Sequence, residues 1–456
     1  MSEIVGIILA AGKGTRMKSK LPKVLHRVGG LPMVEHVLIA AQRAGASKNI
    51  VVVGFGGEAV RQYLGSQAQI VEQTQQLGTG HAVLQAKAAL EKVTGTALIL
   101  CGDTPLVEGE KLAKFCQAHA ESGAAVSVLT AFTDKPTGYG RILRDIKGQV
   151  LGIVEEKDAN LEQKAIKEIN TGIYCAQLPL LFELLATLSN NNAQGEYYLT
   201  DILTKCLEQG KPIAGIATDD FAMVMGINSR QQLAVAEQTM NQRTLARLMD
   251  EGVTIMDPQS TFVEKTVAVG ADTILYPYTW LEGSTKIGEN STIGPNVRLT
   301  DVVVGNEVTM QFTYGHSCQV GNGVTVGPYV HLRPDTVLKD RVKVGNFVEV
   351  KNSVVGEGSK LPHLTYIGDT DMGGGVNMGC GCITVNYNGK KKSRTTIEDN
   401  AFVGCNSNLV APVTVGKGSY VAAGSTITKD VPANGLGVGR GRQVNIENWA
   451  ESYRKK

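Results

Sequence analysis

The sequence predicts an α/β chain in two architectures: alternating strands and helices around a largely parallel sheet, then one long helix, then a parallel β-helix. Three observations carry this. Up to about residue 230 short apolar runs alternate with amphipathic stretches; the next twenty-one residues lack glycine and proline; beyond them an aliphatic residue returns at every sixth position. Composition agrees, with 53 glycines in 456 residues and only 5% aromatic residues. Average soluble chains carry about 7% glycine, so this surplus calls for a turn-rich architecture.

In the first part, Ile4 to Leu9, Ile50 to Val53, Ala97 to Leu100 and Val126 to Ala131 read as buried strands, while Met33 to Arg43 and Gly109 to Glu121 carry helical spacing. Alternating β and α elements imply ligand sites beyond the carboxyl ends of the strands. Residues 231–251 read as one helix, stopped by Gly252, that connects the two parts.

After it, Val269, Leu275, Leu281, Ile287, Ile293 and Leu299 fall six apart. Further series run from Val320 to Val350, Val355 to Ile367 and Ile397 to Ile427. This is a hexapeptide repeat, in which each unit gives a short strand and a turn and three units close one coil. The register breaks between Met378 and Ile397, so Asn386 to Arg394 must leave the coil as a loop, its lysines either solvated or binding an anion.

A formal net charge of +2 leaves no global field for nucleic acid or an anionic membrane. No run reaches the roughly 18 apolar residues of a membrane span. Eight scattered cysteines behind an N-terminus without a basic leader predict reduced thiols in a cytoplasmic protein. Neither Cys380-Gly-Cys382 nor the trio His316, His331 and His363 has convincing metal-ligand spacing.

The chemistry begins at Leu9-Ala-Ala-Gly-Lys-Gly-Thr-Arg-Met17, a glycine turn closing the first strand, with Pro22-Lys23 downstream. It is neither a Walker A loop nor a dinucleotide fingerprint, but it exposes backbone amides to phosphate, and Arg16 and Lys23 add charge. Asp103 ends a buried strand, where it either caps a turn or holds a divalent cation. Together with Gln73, Gly78-Thr79, Gly138-Tyr-Gly140, Glu155, Asn170-Thr-Gly172 and Gly226-Ile-Asn228, the pattern resembles the sugar-1-phosphate nucleotidyltransferases.

The resemblance extends over the full length to the bacterial family that joins an N-acetylglucosamine-1-phosphate uridylyltransferase to a glucosamine-1-phosphate N-acetyltransferase. It implies a Rossmann-like nucleotidyltransferase domain (1–230), a linker helix (231–251) and a left-handed β-helix bearing acetyl transfer (252–456). Carried over by motif, Leu9, Ala10, Ala11, Gly12, Gln73, Gly78, Thr79, Cys101 and Gly102 would surround UTP. Arg16 and Lys23 would stabilise phosphate charge, Asp103 and Asn228 would ligate Mg²⁺, and Gly140, Glu155 and Asn170 would read the sugar.

For acetyl transfer, Arg333 and Lys351 lie 18 residues, one coil, apart and are expected to stack as a phosphate clamp. His363 is the candidate general base and Glu349 the candidate to orient it. The resemblance adds Tyr366 and Asn377 on glucosamine-1-phosphate, and Cys380, Asn386, Tyr387, Cys405, Ala423 and Arg440 on acetyl-CoA. Cys380 and Cys405 stand where the family usually has alanine and serine. The family further implies a homotrimer with acetyl-CoA bound between subunits. The basic stretch from Gly439 through Lys456 is either a frayed tail or a contact to CoA phosphates or a neighbour.

Two other readings compete. The solenoid is only an oligomerisation or regulatory module on a nucleotidyltransferase, or it acetylates another amine while the first part activates another sugar.

Overall fold

A computed structural model describes residues 3–454, in two compact units that divide between Met240 and Asn241. Lys455 and Lys456 of the basic C-terminal stretch lie outside the described residues.

The first unit is built on a nine-stranded sheet. Its main path runs Ile213–Thr218, Val126–Phe132, Glu168–Leu178, Gly95–Cys101, Ile4–Ala10, Ala46–Val53, Gln69–Glu72. All these neighbours are parallel except Glu168–Leu178, which runs against both of its partners, so the sheet is mixed. Alternate side chains of the first strand enter opposite cores: Ile7 packs with Val83 and Leu181 on one face, Ile8 with Val37 and Leu112 on the other. Helices Met33–Arg43 and Gly109–Ser122 cover that second face. The strand's carboxyl end lies between those of Gly95–Cys101 and Ala46–Val53, leaving a crevice there for a ligand.

One helix spans Arg230–Asp250. In the second unit, short strands stack into three parallel sheets of 11, 10 and 9 strands. Partners are 16 to 18 residues apart over most of the coil, as in Ile274↔Thr292 and Val303↔Gln319; Thr254↔Ile274 is lengthened to 20 at the start and Asn377↔Phe402 to 25 by the loop. The six-spaced aliphatics point inward as one continuous column; Leu275, Leu332, Val350, Ile367 and Leu409 have no exposed surface. Asn386 to Arg394 leaves the coil after Ile383–Val385, and the chain rejoins it at Thr395–Ile397.

Candidate active sites

The crevice of the first unit is a cleft of about 480 Å³. Leu9, Ala10, Ala11 and Gly12 form one wall; Gln73, Gly78 and Thr79 another; Cys101, Asp103 and Lys23 the end. Gln73 is buried and donates through Nε2 to the Gly78 carbonyl at 3.0 Å, which fixes the turn. Thr79 Oγ1 accepts from the Leu199 amide at 3.0 Å. Gly102 donates to the Leu9 carbonyl at 2.8 Å, tying the two strand ends together. Arg16 stands exposed on the turn Thr15–Met17. Lys13, Gln76 and Glu196 also line the cleft and were not singled out by motif.

Lys23 Nζ lies 2.5 Å from Asp103 Oδ2 and 3.0 Å from Asn228 Oδ1. Two oxygens therefore converge on one cationic position. Gly226 lies beside them, where a Cβ would come into contact with Asn228 Nδ2 at 3.6 Å and the Asp103 carboxylate at 3.9 Å. Magnesium takes oxygen ligands, commonly one or two carboxylates completed by water and substrate phosphate, so the donor set fits it.

Gly140, Glu155 and Asn170 form a second group in the same unit. Asn170 donates from its backbone N–H to the Gly140 carbonyl at 2.8 Å, and its Oδ1 accepts from the Tyr174 hydroxyl at 2.9 Å. Burial pushes the Glu155 carboxyl above the usual range; Thr200 opposes this and the Asp201 and Asp158 carboxylates add to it. Burial, then the Asp103 charge, pushes the Cys101 thiol up to about 12.

The second unit brings its candidates together in two places. Strand Lys343–Asn346 pairs with Lys360–His363 so that Asn346 faces His363. Continuing the register of the next coils sets Cys380, Cys405 and Ala423 in the same row. Arg440 closes it, its guanidinium donating to the Ala423 carbonyl at 2.8 Å. His363 Nδ1 is 2.6 Å from Asn346 Oδ1. Glu349, expected to orient His363, instead takes the Arg333 guanidinium at 2.7 Å, because its strand belongs to the neighbouring sheet. Asn346 was missed as the partner.

The other group lies on that neighbouring sheet. The register above Glu349 continues to set Arg333 beside Lys351, but the two do not form a bare pair of cations: Lys351 Nζ lies 3.8 Å from Asp369 Oδ1. Asp369 also accepts from Asn352 and Asn386, each at 2.5 Å, and Asn386 Nδ2 reaches the Tyr366 hydroxyl at 3.4 Å. Asn386, expected with acetyl-CoA, thus sits with Tyr366 and Lys351. Tyr387 is exposed on the loop, its hydroxyl donating to the Gly389 carbonyl. Asn377 lies on the His363 sheet, three residues before Cys380.

All eight cysteines are free thiols, and no described helix is long and apolar enough to cross a membrane.

Comparison with known proteins matches residues 6–164 to the MobA-like NTP transferase domain and residues 317–352 and 394–429 to the bacterial transferase hexapeptide (six repeats). A protein of Geobacillus sp. (strain WCH70) is 52% identical over 98% of this chain and 97% of its own. One of Caldanaerobacter subterraneus subsp. tengcongensis is 51% identical over 100% and 99%, and one of Bacillus velezensis 48% over the whole of both. All three are named bifunctional protein GlmU. With a nucleotidyltransferase cleft in one unit, a hexapeptide solenoid in the other and near-half identity from end to end, the chain belongs to the family of the bifunctional GlmU proteins.

Proposed function

We propose that the chain makes UDP-N-acetylglucosamine in two steps, acetylating glucosamine-1-phosphate from acetyl-CoA on residues 252–456 and then joining the product to UTP on residues 1–230. The observation that carries this is the presence of two separate polar constellations in one chain, one at strand ends and one on the solenoid surface. Bound at the solenoid, glucosamine-1-phosphate would lie between Arg333, Lys351, Tyr366 and Asn377, with acetyl-CoA along Cys380, Asn386, Tyr387, Cys405, Ala423 and Arg440. With the Asn346 oxygen as acceptor, His363 Nδ1 is the donor, and Nε2 is left to act as the base. Nε2 then removes the proton from the sugar's amine as the amine nitrogen attacks the thioester carbonyl; the C–S bond breaks, and His363 returns that proton to the sulfur so that CoA leaves as the thiol.

In the cleft, Leu9 to Gly12, Gln73, Gly78, Thr79, Cys101 and Gly102 would hold the nucleotide, and Gly140, Glu155 and Asn170 the N-acetylated sugar. An oxygen of the sugar phosphate attacks the α-phosphorus of UTP and the bond to pyrophosphate breaks, a displacement that needs alignment and charge neutralisation. Arg16 and Lys23 place positive charge at the phosphates. Asp103 and Asn228 would hold Mg²⁺, which when bound offsets triphosphate charge. We read the protein as a cytoplasmic homotrimer. The exposed aromatics Tyr278, Trp280, Tyr314, Tyr329 and Phe347 on the solenoid support association with further copies.

The test supplies glucosamine-1-phosphate, acetyl-CoA, UTP and Mg²⁺ and follows free thiol and pyrophosphate. His363→Ala should abolish thiol release and spare pyrophosphate formation from N-acetylglucosamine-1-phosphate, and Asp103→Ala should do the reverse. Loss of both activities from either change in a folded protein rejects the two-site reading.

A further inference from the structure

The glycine turn and Lys23 lie in a surface segment whose tip, Lys18 to Leu21, is largely exposed. Two buried residues fix its ends: Met17 closes the turn Thr15–Met17, and His26 follows the turn Lys23–Leu25, its amide donating to the Lys23 carbonyl at 3.2 Å. Both are gripped by one side chain from elsewhere. Arg230, the first residue of the long helix, donates through Nε to the Met17 carbonyl at 3.3 Å and through Nη1 to His26 Nδ1 at 3.4 Å. The same helix turn also holds Asn228, a partner of Lys23: the Asn228 backbone amide donates to Gln232 Oε1 at 2.8 Å.

We infer that Arg230 is a positioning residue for uridylyl transfer, setting the distance between the turn that carries Arg16 and the turn that carries Lys23. This rests on the uridylyltransferase reading above. The planar guanidinium supplies two donors at fixed separation, which a lysine ammonium on a flexible stem does not. His26 can accept only when its Nδ1 is bare; burial, then the Arg230 charge, holds the imidazole below its usual range and keeps it neutral. The hydrogen bonds of the Arg230 side chain go to the two turns, which carry its effect toward the phosphates.

The test measures pyrophosphate formation and thiol release on the same preparations of the full chain, for wild type, Arg230→Met, Arg230→Lys and His26→Leu. Misplacement of about 1 Å at a reacting centre costs up to about 100-fold, so Arg230→Met should lower kcat for uridylyl transfer by about ten- to 100-fold. The KM for N-acetylglucosamine-1-phosphate, whose candidate contacts lie on other strands, should change less than about two-fold, and thiol release should hold. Arg230→Lys should fail to restore the rate, and Arg230→Met combined with His26→Leu should be no worse than Arg230→Met alone, because Arg230→Met already removes the contact that His26→Leu removes. A wild-type kcat in Arg230→Met, full rescue by lysine, or additive losses would overturn the inference. If wild type itself forms no pyrophosphate from UTP, it is the uridylyltransferase reading that fails.

Discussion

Replacing Asn346 by alanine separates orientation of the base from its chemistry. The contact removed is a single neutral hydrogen bond, 2.6 Å long, at the solenoid surface. Such a bond contributes about 0.5–1.5 kcal/mol net, which corresponds to about a two- to twelve-fold loss if all of it serves to hold the Nδ1–H tautomer. Deleting the base itself costs about 10²–10⁴-fold. Asn346→Ala should therefore fall well short of His363→Ala, with uridylyl transfer by the same chain unchanged. Glu349→Gln tests the rival geometry. Its partner is Arg333 and both side chains are more than a third exposed, so the pair contributes about 1 kcal/mol or less, felt as a higher KM for glucosamine-1-phosphate. Thiol release at saturating acetyl-CoA reads all three. A wild-type rate in Asn346→Ala together with a ten-fold lower kcat in Glu349→Gln would refute the assignment of Asn346 as the orienting group.

Iodoacetamide should block thiol release and spare pyrophosphate formation, since Cys405 is exposed and Cys380 half-exposed on the solenoid, whereas the Cys101 thiol is held near 12 and supplies little thiolate; equal loss of both activities, or of neither, counts against it. Glu155 binds its proton more tightly folded than unfolded, so its contribution to stability is greatest below the ordinary glutamate range of about 4.3 and is lost as pH rises through the higher folded value. Glu155→Gln should then raise the thermal midpoint of the first unit more at pH 8 than at pH 4, and an equal shift at both values would contradict the burial argument. Contact with the Lys351 ammonium holds Lys392 below the usual lysine range, so a bound phosphate should relieve that repulsion. Lys392→Met should raise the KM of an anionic substrate of the solenoid, with the difference shrinking as salt shortens the screening length from about 30 Å at 0.01 M to about 3 Å at 1 M; a KM indifferent to both changes removes the loop from the site.

In the first unit, apolar runs located the strands because a strand covered on both faces must be apolar throughout. Helix Met33–Arg43 was legible for its one-sided spacing. The direction of Glu168–Leu178 was not. Its sequence mixes Glu168, Asn170 and Thr171 into the apolar pattern, and a register shift between Asn170, still paired with Thr130, and Tyr174 takes the positive-φ Gly172 out of the ladder. The irregular stretch that obscured the strand begins directly after Asn170, a candidate sugar-site residue. Arg230 was equally hidden, since nothing local to Gly226-Ile-Asn228 says that a guanidinium two residues on reaches back to Met17 and His26.

In the solenoid the partner of His363 was legible by arithmetic that charge distracted from. Coils here advance by 17 or 18 residues, and Asn346 precedes His363 by 17, whereas Glu349 precedes it by 14 and so falls past the corner on the next sheet. A side chain one coil away touches; a carboxylate of better chemistry three residues off register does not. Glycine makes that contact close. A Cβ on Gly345 would run into the Pro362 carbonyl, and one on Gly379 or Gly404 would press on the backbone of Cys405 or Ala423. Each of these glycines directly precedes a member of the row Asn346, Cys380, Cys405, so the residue that lets two coils meet comes just before the residue whose side chain uses the meeting. The glycine surplus is thus part of the site: it sets the spacing at which Asn346 can hold the His363 imidazole.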